Sequence, residues 1–295
     1  MNQKFSVFDA MIYLILIAIA CITMYPFLNA VAISFNEAND TIRGGVTIFP
    51  RQPTLANYQV IFSDPNLLRA YAISFARTVI GTTAGVLFTA LVAYGMSKSS
   101  LIGRKVYMKI FVITMFVSGG LIPYYLILRQ LGFMNTFWVM IIPHMFNVWN
   151  MIIMRTYFAN VVPGALEESA LIDGAGYFRI FVSIVLPISK PIIATMVLFV
   201  GVFHWNQWFD AALFITRSDL RPVQNVLISV INANRFEEAM GQMGHAASVL
   251  IQQRTVNVRS ITMATMVSTM IPIMLVYPFV QKYFVKGIMI GSLKE

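Results

Sequence analysis

Charged residues are scarce in this sequence. Only 11% of the 295 residues are Asp, Glu, Lys or Arg, whereas 58% are hydrophobic, and the mean hydropathy is +0.73. Soluble domains carry about 25% charged and about 45–50% apolar residues, so this composition excludes a soluble protein. At about 20 residues per membrane-spanning helix, the chain is long enough for about six spans with their loops. The sequence therefore indicates an integral membrane protein.

Several chemical motifs are also missing. The single cysteine, Cys21, lies in an apolar run, which excludes an intrachain disulfide and a multi-cysteine metal site. Neither a GxxxxGK[ST] phosphate loop nor an HExxH metal motif occurs, so the sequence predicts neither an ATP-hydrolysing site nor a zinc site of these kinds. The net charge of +9 does not cluster on a soluble domain, which argues against nucleic-acid binding. No metal site and no cofactor are predicted in this chain.

The apolar runs predict an all-α membrane protein that forms a single transmembrane domain over residues 1–295. The six spans are predicted at about residues 10–35, 71–96, 106–128, 136–157, 188–214 and 260–280. The first run is longer than the roughly 7–15 apolar residues of a signal peptide, so we interpret it as an uncleaved anchor. Ser118-Gly119-Gly120 and Pro123 predict a break in the third span.

Small residues recur every four positions in the second span, at Gly81, Gly85, Thr89 and Ala93. Such a face lets two helices in a membrane approach closely. We therefore expect this face of the second span to lie against another helix of the chain.

The distribution of lysine predicts the orientation. With six spans, one side of the membrane holds every lysine of the chain: Lys4, Lys98, Lys105, Lys109, Lys190, Lys282, Lys286 and Lys294. Basic residues near span ends favour the cytoplasm. Both termini are therefore predicted to be cytoplasmic, and the two long polar loops, 36–68 and 216–259, are predicted to face outward.

Between the fourth and fifth spans, a short helix is predicted at about residues 163–175. Glu167 and Glu168 are expected in its first turn, where carboxylates complement the helix dipole. Gly174 and Gly176 are expected to end it, because glycine readily adopts the left-handed conformation. About ten residues cannot cross a bilayer, so this helix is expected to lie along the cytoplasmic surface.

This stretch resembles the EAA signature of ABC importer permeases. The matching residues are Glu168, Ser169, Ala170, Gly174, Ile184, Leu186 and Pro187. Only Ser169 differs from the signature, which has alanine, another small residue, at this position. The resemblance implies a coupling helix that docks into an ATPase subunit, and it extends the ATPase-coupling set to Glu167 and Asp173. The alternative is an ordinary interfacial helix that joins two spans.

The resemblance extends to the carbohydrate-type subgroup through residues 128–143, Trp205-Asn206 and the C-terminal segment. It implies the six-helix type I importer fold and a location in a bacterial inner membrane. It also implies an oligosaccharide substrate, for which acidic oligosaccharides such as alginate fragments are one possibility. The implied partners are a second, homologous permease chain, two ATPase copies that bind ATP and Mg²⁺, and an extracytoplasmic sugar-binding protein. The loop 216–259 would meet the binding protein, and the C-terminal tail would reach the ATPase pair.

Polar and aromatic residues within the spans are the candidates for the substrate pathway. They are Arg77, Tyr124, Tyr125, His144, Asn147, Asn150, His204, Trp205, Asn206, Trp208 and Asp210. Arg77 would either meet an anionic sugar or be structurally paired. Asn206 and Asp210, four residues apart, would share a helix face and either line the pathway or hold Arg77. By their spacing of three, His144, Asn147 and Asn150 would share a helix face and form hydrogen bonds between helices. Trp205 and Trp208 would either stack on sugar rings or belong to the belt of aromatic residues at the membrane interface.

The sequence thus favours a permease subunit that performs no chemistry itself. Two other classes stay open at this point. A membrane-embedded enzyme acting on a lipid or glycan carrier would need clustered acids or histidines, for which His144, His204 and Asp210 are the only material. An ion-coupled transporter usually needs intramembrane acids or histidines, of which this chain has few.

Overall fold

The computed structural model describes residues 6–241 and 258–292. Within these ranges the chain is helical apart from short connections, and the only extended pairing there is a single bridge between Asn36 and Pro53. Two compact units are present, residues 1–68 with 226–272 and residues 69–225 with 273–295. Each unit is described separately below.

The first unit begins with a long apolar helix. Its helices include α1 (Val7–Ser34), α2 (Ala38–Ile42) and α3 (Ala56–Ser63). The N-terminus of α1 is closed by a capping box, in which the Phe8 amide donates to Ser6 Oγ (3.3 Å) and the Ser6 amide donates to Asp9 Oδ2 (2.9 Å). Most of the large apolar side chains of α1 are exposed, as expected for a helix that lipid surrounds.

Residues 36–63, predicted as part of a polar loop, fold into a compact structure around buried Asn36. The Asn36 side-chain amide donates to Asp40 Oδ2 (2.9 Å) and Thr41 Oγ1 (3.0 Å), and its oxygen accepts from the Gln52 amide (2.9 Å). Together with the nearby Arg51 guanidinium, the Asn36 hydrogen bond holds the pKa of the Asp40 carboxyl below its ordinary value. The sequence signalled only α3, at residues 54–62, whereas the side-chain network that orders the rest joins positions far apart.

The second unit contains the broken spans and the stretch that resembles the EAA signature. Its helices are α4 (Pro65–Ser97, which starts in the first unit), α5 (Arg104–Phe116), α6 (Leu121–Gln130), α7 (Val148–Val161), α8 (Gly164–Ile172), α9 (Tyr177–Ile180), α10 (Leu186–Ile188), α11 (Lys190–Asn206) and α12 (Phe209–Phe214). Two 3₁₀ turns, Phe137–Met140 and Ile142–His144, precede α7. A π-helical turn, Phe181–Val185, joins α9 to α10.

Only three helices in the described ranges are long and apolar enough to cross a membrane without a break: Val7–Ser34, Pro65–Ser97 and Val258–Val276. Three further helix pairs are long and apolar enough when taken together but are bent by more than 40° at a short break, so the number is up to six if each pair is one bent span. Arg104–Phe116 and Leu121–Gln130 meet at 113°, Phe137–His144 and Val148–Val161 at 49°, and Tyr177–Ile188 and Lys190–Asn206 at 86°.

The break predicted at residues 118–120 is confirmed. It lies between α5 and α6, where Gly120 has a φ of +83°. The other two bends carry no comparable glycine pair. The predicted span 188–214 also ends early, because α11 stops at Asn206 and the chain turns through Gln207 before α12.

The small-residue face of α4 packs as the four-residue spacing predicts. A Cβ added to Gly81 would lie 2.6 Å from His204 Nε2, and one added to Gly85 would lie 3.5 Å from Val200. Ala93 further along is completely buried. Because α4 carries only hydrogen or small groups on this face, α11 can approach its backbone closely.

The polar stretch 216–259, predicted as a loop, contains the helix α13 (Val223–Gly241), while residues 242–257 lie outside the described ranges. In the second unit, the first amide of α13, on Val223, donates to Ser74 Oγ of α4 (2.8 Å). The last helix, α14 (Val258–Ser292), continues through the segment predicted as a tail after residue 280.

Candidate functional site

Helix α8 ends in a sharp corner at Gly174. The Gly174 amide donates to the Leu171 carbonyl (3.0 Å), and the Ala175 amide donates to the Ala170 carbonyl (2.9 Å). These two bonds form a Schellman motif, with Gly174 in the left-handed conformation at φ +80°. Gly176, which was also expected to end the helix, instead has an extended backbone and precedes α9. One glycine therefore makes the corner.

The two glutamates of α8 face different surroundings. Glu167 lies in the first turn, is partly buried, and its carboxylate contacts the Lys98 ammonium of α4. Glu168 comes one residue after the first turn, contrary to expectation, and is exposed. Ile172, one helical turn beyond Glu168, is 87% exposed. The outer face of α8 is therefore acidic and apolar.

The other residues of the predicted coupling set divide between the surface and the core. Ser169 and Asp173 are exposed on α8 and its corner. Ala170, Ile184 and Leu186 are only partly buried and pack against the hydrophobic core that α4, α7 and the π-helical turn share. Pro187 lies in α10 and is exposed. The signature thus includes residues that anchor α8 to the core as well as residues that face outward.

A second polar group of residues surrounds Asp210, whose side chain is 2% exposed. It lies 2.6 Å from His144 Nε2 and accepts from the Gln207 side-chain amide at 3.3 Å. Its other oxygen accepts from the Tyr124 hydroxyl at 3.4 Å. Arg77 Nη2 completes the group at 3.7 Å. These residues come from α4, α6, the 3₁₀ turn before α7, and the α11–α12 connection, so the group joins segments next to all three bent spans.

Arg77 is held inside this group. Its side chain is 0% exposed, and its guanidinium also donates to the Gln207 carbonyl. Of the two roles left open for Arg77, the structure shows the paired one. Asp210 is correspondingly the residue that holds Arg77.

Two facing relationships expected from spacing are wrong. Asn206 and Asp210 do not share a helix face, because α11 ends at Asn206, which is exposed, whereas Asp210 is buried in α12. His144, Asn147 and Asn150 do not share one either, because the chain breaks between them. Asn147 instead caps α7, its side-chain oxygen accepting from the Asn150 amide (3.0 Å). Sequence spacing assumes one unbroken helix, and both segments contain a turn.

The remaining pathway candidates are mostly packed. Tyr124 and Tyr125 both contact the Phe214 ring, with centroids 5.6 Å away in each case. Trp205 and His204 are buried in α11, and Trp208 is 39% exposed in the turn that follows. The candidate residues therefore fall into a mostly buried group around Asp210 and α11 and a few exposed positions.

An open cavity of about 560 Å³ lies where α5 meets the start of α7. It is lined by Phe111, Thr114, Met115, Phe146, Asn147, Val148 and Trp149. Of these only Asn147 was a sequence candidate. Aromatic rings beside a few polar groups suit the apolar faces and hydroxyls of sugar rings, and the volume lies in the range of small-molecule sites. The other lining residues carried no sequence signal, because Phe, Met and Trp are frequent throughout the spans.

Within the described residues, no group of three or more His, Cys, Asp or Glu side chains is placed to hold a metal ion. Asp210 and its neighbours form a paired and shielded group.

Comparison with known proteins places these features in a family. Residues 81–290 match the family model described as "Binding-protein-dependent transport system inner membrane component". The polygalacturonan/rhamnogalacturonan transport system permease protein YtcP of Bacillus subtilis is 38% identical over 99% of this chain and 100% of its own length. The trehalose/maltose transport system permease protein MalG of Thermococcus litoralis is 30% identical over 95% of this chain and 94% of its own.

A solved structure gives the same result. One chain of a bacterial ABC transporter involved in the import of the acidic polysaccharide alginate superposes with a TM-score of 0.85, at 27% identity. The match covers 96% of this chain and 100% of that one. The resemblance to ABC importer permeases, based on residues 168–187, is confirmed by these matches. Its extension to the carbohydrate-type subgroup, based on residues 128–143, Trp205-Asn206 and the C-terminal segment, is confirmed as well.

Proposed function

This chain belongs to the family of inner membrane components of binding-protein-dependent transport systems, and we propose that it forms half of the pathway of an importer for acidic oligosaccharides. It is a transport permease and not an enzyme. The family assignment therefore excludes the carrier-modifying enzyme and the ion-coupled transporter that the sequence left open.

We propose that α8 is the surface on which a separate ATPase drives transport. The single observation that carries this proposal is the geometry of α8 and its Schellman corner. It is a nine-residue helix too short to cross a membrane, anchored through Ala170 and exposing Glu168 and Ile172. Leu166, Leu171 and Ile172 are all exposed on this one short helix, and several exposed apolar side chains close together, rather than a single one, are typical of a protein-binding surface.

The assembly in which α8 works is proposed to contain a second permease, two ATPase copies and a binding protein. The ATPase copies bind ATP and Mg²⁺, since this sequence has no phosphate loop of its own. The second, homologous permease completes the pathway, and an extracytoplasmic sugar-binding protein delivers the substrate. ATP binding closes the ATPase pair, and α8 moves together with the ATPase surface that it contacts. This movement shifts the spans between inward-open and outward-open conformations.

The proposed orientation has both termini and α8 in the cytoplasm. It is supported by the lysines near the span ends, including Lys98 and Lys105 next to the end of α4. The polar stretches 36–68 and 216–259 then lie on the outer side, where the binding protein docks.

The proposed substrate class rests on the relatives and on the cavity. YtcP is named for polygalacturonan and rhamnogalacturonan transport, and the superposed transporter is involved in the import of alginate. All of these polymers contain uronic acids. The cavity beside Asn147 and Trp149 offers aromatic and amide groups to such a sugar. Arg77 is not part of this site, because Asp210 neutralises it inside the protein.

A charge reversal on α8 tests the ATPase coupling. Glu168→Lys places a cation near the positive end of the helix dipole, which costs about 0.3–1 kcal/mol, so the subunit is expected to fold and insert normally. A like-charge contact with the ATPase would cost more than this. We expect normal membrane abundance, with loss of both uptake and binding-protein-stimulated ATP hydrolysis, and an intermediate effect of Glu168→Gln. Full activity in both variants would refute the assignment of α8.

The substrate class is tested separately, with the reconstituted transporter and its binding protein. Uptake of an oligogalacturonate is compared with uptake of a neutral maltooligosaccharide of the same length. We expect transport of the acidic oligosaccharide alone. Preference for the neutral sugar would overturn the substrate class while leaving the coupling result intact.

A further inference from the structure

The C-terminal end of α4 is in contact with α8 through one ion pair. Lys98, the residue after the last residue of α4, contacts the Glu167 carboxylate, and the two side chains are 21% and 14% exposed. The Lys98 ammonium also lies 4.2 Å from the centroid of the Tyr94 ring, close enough for a cation–π interaction. Lys98 is thus held between a carboxylate of α8 and an aromatic ring of its own helix.

The same end of α4 contacts the chain on both sides of α8. Before α8, the Arg155 guanidinium of α7 donates to the Met96 carbonyl at 3.1 Å. After α8, the Phe181 ring of the π-helical turn lies 5.4 Å from the Tyr94 ring, and Tyr94 itself is 4% exposed. The end of α4 therefore contacts α8 directly through Lys98 and also contacts the segments before and after α8, although it lies far from all three in the sequence.

A side-chain contact with α4 matters for α8 because the helix itself is only weakly packed. None of its nine residues is buried, and all nine lie within the described ranges. It is attached to its neighbours through Val162 and Pro163 at one end, through the Gly174 corner at the other, and through the partly buried Ala170 between them. Because Ala170 offers only a methyl group to the core, α8 can rotate or tilt under an applied load with little movement of α4 unless a longer side chain links the two helices.

We propose that Lys98 is a positioning residue for energy coupling, which ties Glu167 of α8 to α4 so that movement of α8 moves this span. The proposal rests on the function proposed above for α8. It gives the two neighbouring glutamates separate roles, since Glu168 faces the ATPase, whereas Glu167 faces inward and transmits the movement to α4. Because α4 carries the small-residue face against α11, displacement of its end is passed to the packed interior of the unit.

The test uses the complete reconstituted transporter with its ATPase and binding protein. Three quantities are measured for each variant: the amount of ATPase that copurifies, basal ATP hydrolysis, and transport per ATP hydrolysed. Lys98→Glu is expected to retain the ATPase and basal hydrolysis. Its transport per ATP should fall by about 2- to 30-fold, the range seen when residues between two coupled sites are changed.

A charge exchange separates a specific ion pair from general damage. The double variant Lys98→Glu with Glu167→Lys restores opposite charges at the two positions and is expected to recover most of the transport per ATP. Lys98→Arg keeps the cation and should remain close to wild type. Lys105→Glu makes the same charge change at an exposed lysine of α5 and should leave the ratio unchanged.

The outcomes distinguish this inference from the function on which it rests. If the wild-type chain fails to retain an ATPase, the proposed function of α8 is wrong. If the ATPase is retained but Lys98→Glu transports normally per ATP, or the charge exchange fails to recover transport, the role of Lys98 is refuted and that of α8 stands.

Discussion

The guanidinium of Arg77 lies 3.7 Å from the carboxylate of Asp210, and neither side chain is open to solvent. The pair connects α4 to the short helix that follows the end of α11. Because Asp210 also contacts His144, Gln207 and Tyr124, one carboxylate holds segments next to each of the three bent spans. A break in a helix frees backbone polar groups, which must find partners inside the protein. At the turn after α11, the Gln207 carbonyl accepts from the Arg77 guanidinium.

Loss of the cation in this pair should destabilise the subunit without changing its substrate preference. Arg77→Met leaves a buried carboxylate without its arginine, which typically costs about 3–5 kcal/mol of the free energy of unfolding. Arg69→Met, at an exposed arginine of the same helix, is the control and should cost little. Denaturant unfolding in detergent measures both, and a loss below about 1 kcal/mol for Arg77→Met would contradict the paired role.

The same variant tests the discarded role of Arg77 in sugar binding. Transporters that fold with Arg77→Met should show an unchanged apparent KM for a uronate oligosaccharide, with fewer active molecules. A raised KM at unchanged abundance would return Arg77 to the substrate site.

Two neighbouring glycines offer a matched test of the corner after α8. Neither Gly174 nor Gly176 has any atom within 4 Å of where a Cβ would lie, but only Gly174 is left-handed, at φ +80°. Valine at Gly174 must adopt that conformation at a cost of about 1–2 kcal/mol or turn α8 away from its position. We expect Gly174→Val to reach the membrane but to lose stimulated ATP hydrolysis, whereas Gly176→Val retains it. Equal activities in the two variants would show that the corner is not needed.

Two glycines of α4 test the close approach of α11. Alanine at Gly81 would place its Cβ 2.6 Å from the His204 ring, while alanine at Gly95 meets nothing within 4 Å. Overpacking of a fitted core typically costs about 1–3 kcal/mol, so Gly81→Ala should unfold at a lower denaturant concentration. Gly95→Ala should be neutral or slightly stabilising, because alanine is the better helix former. The opposite order would mean that α4 and α11 are not packed through this face.

The proposed orientation is tested by thiol labelling in intact cells. In a Cys21→Ser background, cysteines replace Leu55 and Ile102, which are 60% and 91% exposed and so both open to a reagent. Met240, on the other predicted outward stretch, is replaced as a third site. An impermeant maleimide should label positions 55 and 240 from outside, and position 102 only after lysis. Labelling at 102 in intact cells would reverse the orientation.

The amino-acid sequence by itself determined the class of protein and its most specific local element. Composition and run length indicated membrane helices, the glycine spacing predicted the packing face of α4, and Ser118-Gly119-Gly120 predicted the first bend. The corner at Gly174 was also predictable, because a left-handed helix end is a local property of the backbone. These features depend on residues within a few positions of one another, so the sequence displays them directly.

Only the tertiary structure decided which polar residues meet. The bends near Asn147 and Gln207 turn side chains away from the faces that regular helical spacing assigns, and they bring His144, Asp210 and Arg77 together. Likewise, the signature includes Glu168 and not Glu167, but nothing in the sequence shows that Glu167 contacts Lys98 rather than another lysine near a span end. The separate surroundings of the two glutamates arise because α4 ends beneath α8, and such a contact between distant segments depends on how whole helices pack rather than on the residues next to it.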